Sequence, residues 1–152
     1  MSDVSTNSFL PVIELAVSPM ILLTGVGGLM ITLTNRMARV VDRTRDLAGK
    51  VRLAKGEERA HFDNQLTILW RRAKLIRQAV TFAGLSMLLS CLLVAVIFLD
   101  AAVGRQLGFL MVGFFGASIL SLVTSLISFL RDIFISLHAL KLEIDRAHRT
   151  PV

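Results

Sequence analysis

The chain has 152 residues, 54% of them hydrophobic, and 17 Lys and Arg against 11 Asp and Glu for a net charge of +6. That is too apolar for an ordinary soluble domain, and the single cysteine, Cys91, excludes an intrachain disulfide. A basic soluble protein would suggest nucleic acid. Here, however, twelve of the 17 basic residues crowd into residues 35–78, as in the cytoplasmic loops of membrane proteins, and no nucleic-acid partner is expected.

Three runs carry no charged side chain: residues 15–34, 79–99 and 107–130. Crossing about 30 Å of hydrocarbon takes about 20 residues at about 1.5 Å each, so every run is long enough to span. The runs are continuous rather than alternating, which excludes barrel strands. The expected fold is an all-α membrane protein of one domain, with three transmembrane helices and long cytoplasmic helical extensions. No cleaved signal peptide is expected, because MSDVSTNS has no basic residue.

Pro11 precedes the first run and Pro19 lies inside it near its start, where Pro19 either kinks the helix or marks its first turn. Thr24, Gly28 and Thr32 recur every four residues, which gives one helix face small enough for close helix packing. Glu14 is expected at the outer interface.

Residues 35–78 read as a helical hairpin. Val40, Val41, Leu47 and Val51 make an apolar stripe that continues the first helix to about Ala54, and Lys55, Gly56 and Glu57 make a turn. Phe62, Leu66, Leu69, Ala73, Ile76 and Val80 then recur at four-three spacing, a heptad-like seam of the coiled-coil kind leading into the second run. Opposite the first stripe stands a charge ladder, Arg39, Asp42, Arg43, Arg45 and Asp46, whose i,i+3 neighbours can pair; it is either a solvated face or a docking surface for a cytoplasmic protein. Trp70 anchors at the headgroups or packs in the seam.

Ala79, Ala83, Ser86 and Ser90 give the second run a small-residue face. A tight turn with Gly104 makes the second and third helices antiparallel neighbours. The third helix runs on as a tail helix, residues 131–148, with Ile133, Leu137, Leu140 and Ile144 on one stripe and Thr150 and Pro151 ending it. Within it, Ser118, Ser121, Ser125, Ser128 and Asp132 share one face at three-four spacing. Hydroxyls so arranged either line a polar path or seal a tight helix interface. Three helices cannot enclose a path alone, so transport would require a homo-oligomer.

At the inner ends of the runs stand Asn35, Arg36, Arg77, Gln78, Arg131 and Asp132, a charged collar in which Asp132 pairs with Arg36 or Arg77; the collar is either structural, its arginines contacting anionic lipid headgroups, or a charged gate or anion site. The positive-inside rule puts the N-terminus outside and residues 35–78 and the tail in the cytoplasm. No catalytic role is expected: His61, His138 and His148 are scattered, and the GVGG run at residues 25–28 lacks the pattern of a nucleotide loop. Neither a metal nor a cofactor is expected.

The run NRMARVVDRTRDL at residues 35–47, following a first span, resembles the signature of a family of short three-span bacterial membrane proteins of unknown function, as does LWRRAKLI at residues 69–76 before the second span. The resemblance covers roughly residues 15–140. It implies three spans in a bacterial inner membrane and carries no functional residue with it. Two functions are then in play: a self-associating, non-catalytic scaffold or adaptor acting through a basic cytoplasmic helical bundle, and a homo-oligomeric ion channel lined by the serine face.

Overall fold

A computed structural model describes residues 3–53, 55–103 and 107–149, with side chains described for 10–52, 55–56, 58–60, 62–102 and 107–137. Its elements are three helices, α1 (Asp3–Leu53), α2 (Glu57–Val103) and α3 (Gly108–Arg149), and there is no strand among the described residues. Each helix contains a stretch long and apolar enough to cross a membrane. The large apolar side chains left exposed, among them Ile21, Ile31, Leu88, Leu120 and Phe109, suit hydrocarbon rather than water. This is a multi-pass membrane protein.

The first helix begins well before the uncharged run, at Asp3. Pro11 and Pro19 therefore lie inside it, and Pro19 does not mark its first turn. Past the membrane-compatible stretch α1 continues without a break to Leu53. The connection to α2 carries one residue in the left-handed region, Gly56 at φ 66°, where an L side chain would clash with its own backbone. At the other connection, Asp100 Oδ1 accepts the Leu107 N–H at 2.9 Å, and the Leu107 carbonyl accepts the first N–H groups of α3 from Leu110 and Met111. A side chain at the end of α2 thus fixes the residue that caps α3. Gly104, Thr150, Pro151 and the side chains of Leu140 and Ile144 lie outside the described residues.

The chain divides into two compact units. One comprises Met1–Ile31 with Thr81–Thr124, the other Thr32–Val80 with Ser125–Val152. In the first unit Ala16, Val26, Ala83, Leu93 and Ile97 are buried, and Met30 approaches Gly84, with its Cε 3.5 Å from where a Cβ would stand. In the second, Val40 and Leu47 of α1 and Leu69 and Ile76 of α2 form a buried cluster, with Met37, Phe62, Leu66, Ala73 and Val80 packed against it. The four-three seam of α2 and the apolar stripe of α1 thus face each other, because only that rotation removes both from water at once.

Candidate functional site

The first unit contains a buried hydroxyl cluster between α2 and α3. Ser118 donates to the Ser86 carbonyl at 3.0 Å. Its only proton is thereby used, so its oxygen accepts from the hydroxyls of Ser90 at 2.8 Å and Ser86 at 3.1 Å. One turn on, Ser121 donates to the Phe82 carbonyl at 2.8 Å. Such bonds to a neighbouring helix's carbonyls require close backbone approach, and here Ala83, Ser86 and Ser90 supply it from α2. The small-residue face of α2 is therefore consumed inside the chain.

In the second unit the same face of α3 behaves alike. Ser125 is buried and donates to the Ala79 carbonyl at 2.7 Å. Ser128 is buried and engaged as well. Then comes Asp132, a carboxylate with 0% exposure. Arg72 Nε of α2 donates to Asp132 Oδ1 at 3.3 Å, and Arg36 Nη1 of α1 lies 3.7 Å from Oδ2. Arg36 also rests over the Phe129 ring, 5.1 Å from its centroid. Three helices thus contribute one charge each to a trio with a net charge of +1.

A carboxylate withdrawn from water is costly unless paired, so the two arginines are what make Asp132 tolerable there. Arg72 is absent from the collar read from the sequence. Its signal is phase: Leu69, Arg72, Ile76 and Ala79 follow at three-four-three spacing, so Arg72 continues the buried stripe of α2. Of the other collar residues, Asn35, Arg77, Gln78 and Arg131 are exposed, and Arg77 is engaged elsewhere in an interaction of its own.

The charge ladder Arg39, Asp42, Arg43, Arg45 and Asp46 is exposed along α1, with Asp46 paired to Lys50 at 2.9 Å. Trp70 lies outside the seam at 64% exposure, with Lys74 Nζ 5.9 Å from its ring. On the first helix, Thr24, Gly28 and Thr32 are exposed, and a Cβ built on Gly28 meets nothing within 4 Å. Glu14 is exposed too.

A family model described as "Protein of unknown function (DUF2721)" matches residues 16–142. The chain belongs to this family. No curated protein and no solved structure matches the chain. The DUF2721 match takes in the serine face, the Asp132 trio, the charge ladder and the seam. It leaves the chemistry of these features to be argued from their geometry.

Proposed function

We propose that this DUF2721 protein is a non-catalytic, self-associating integral membrane protein of the bacterial inner membrane, with its N-terminus outside. It acts as a scaffold or adaptor through the basic helical unit formed by residues 32–80 and the start of the tail helix. The observation that carries this reading is the commitment of the α3 hydroxyls. Ser118, Ser121 and Ser125 all bond to α2 within the chain, so the face that a water-lined path would need is spent on packing. Self-association is supported by the exposed small-residue face Thr24 and Gly28 on α1, where close approach of a second helix is unobstructed. The exposed ladder from Arg39 to Asp46 offers a charge pattern to a cytoplasmic protein partner.

The competing function, a homo-oligomeric channel lined by Ser118, Ser121, Ser125 and Ser128, requires these hydroxyls to leave their carbonyls. Planar-bilayer recording of the purified protein across voltage, pH and bilayer tension separates the two. The scaffold predicts silence with insertion confirmed. Discrete currents abolished by Ser121→Leu and Ser125→Leu would overturn it in favour of the channel.

A further inference from the structure

We propose that Arg36 and Arg72 form a binding site for a single phosphate oxyanion, as carried by an anionic phospholipid headgroup or by free phosphate. The lipid source rests on the membrane reading above, since both arginines stand near the ends of uncharged runs. Three observations carry the site. The trio holds two guanidiniums against one carboxylate, so one positive charge is left without a counter-charge in a partly buried place. Asp132 occupies only Nε of Arg72, and it stands beyond hydrogen-bond distance of Arg36. Finally, both arginine side chains keep some exposure, 24% for Arg36 and 16% for Arg72.

Two forks of this kind, one pinned by a carboxylate and one resting over the Phe129 ring, are preorganised to take oxyanion oxygens. Held in this way they lose little rotamer entropy on binding, unlike the exposed Arg71 and Arg131. The distinction sets a built site apart from a ring of snorkelling arginines that touch lipid phosphates at random.

Native mass spectrometry of the full chain, presented with equimolar phosphatidylglycerol and phosphatidylcholine of identical acyl chains, tests it. Retention of phosphatidylglycerol should exceed that of phosphatidylcholine by about tenfold, the scale of one charge-assisted contact pair. Arg72→Gln should remove most of this preference. Arg36→Lys, which keeps the charge and the fold but loses the fork, should also weaken it. Arg131→Gln removes the same charge from an exposed position and should leave the preference intact. A second arm titrates inorganic phosphate: if phosphate binds and lipid is not preferred, the site stands with a soluble source. Equal loss in Arg131→Gln and Arg72→Gln would overturn the proposal, as would a wild-type chain that selects neither ligand. The same spectra report copy number, so failed lipid selection and failed self-association are separately visible.

Discussion

The hydroxyl oxygens of Ser118 on α3 and Ser90 on α2 lie 2.8 Å apart, and both residues are buried. With Ser86 they form a closed set in which the Ser118 proton goes to a carbonyl and its lone pairs take the other two hydroxyls. Within the first unit this joins two helices without any large side chain between them. Replacing Ser118 by Ala leaves the fit and removes the bonds, at a cost of about 1 kcal/mol. Replacing it by Leu puts a branched side chain where no space exists, so Ser118→Leu should lower the unfolding temperature in detergent far more than Ser118→Ala. Equal effects of the two would show that the helices do not pack closely here.

Asp132 is the fully buried carboxylate between Arg36 and Arg72 of the second unit. Asp132→Ala leaves Arg36 and Arg72 facing each other around an uncompensated pocket, and breaking a buried pair of this kind costs about 3–5 kcal/mol. A fall in unfolding temperature on the order of 10 °C follows for a chain of this size. Arg131→Ala, one residue earlier and exposed, should change it little. Thermal unfolding of the two variants side by side gives the comparison.

Two large residues on α2 make a matched pair for the hairpin. Ile76 is fully buried in the cluster with Val40, Leu47 and Leu69, and Ile76→Ala should cost about 2–5 kcal/mol. Trp70 is larger yet mostly exposed, so Trp70→Ala should cost under about 1 kcal/mol in detergent. Limited proteolysis of residues 35–78 reads the difference: the Ile76 variant should be cut sooner, the Trp70 variant at the wild-type rate.

Much of this architecture is legible in the residue spacing, because each helix obeys one rule. Apolar and small residues at three-four intervals mark the buried face, as in Leu69, Ile76, Ala79, Ala83, Ser86 and Ser90 of α2. Continuous uncharged runs likewise specify membrane-compatible helices, since no other local structure satisfies the backbone in hydrocarbon.

What escapes is decided by residues that break type without breaking phase. Arg72 sits on the buried stripe yet reads as half of an exposed Arg71–Arg72 doublet, so composition hides a partner of Asp132 that periodicity would reveal. Pro19 reads as a kink or a first turn, but α1 begins at Asp3 and carries both Pro11 and Pro19 inside it. Trp70 illustrates the converse: its size suggests the seam, but its phase lies off the Leu69–Ile76 stripe and the side chain stays exposed. Spacing alone marks a small-residue face on α2 without naming what covers it; the serines of α3 occupy it within the chain.

Self-association is proposed to run through the small-residue face of α1. The most direct measurement is the copy number of the protein extracted from its own membrane into native-lipid discs, weighed particle by particle. The wild type should give more than one chain per disc, and Gly28→Leu, at a position where an added Cβ meets nothing within 4 Å, should shift it toward one chain. A wild-type protein found as a single chain per disc would contradict it.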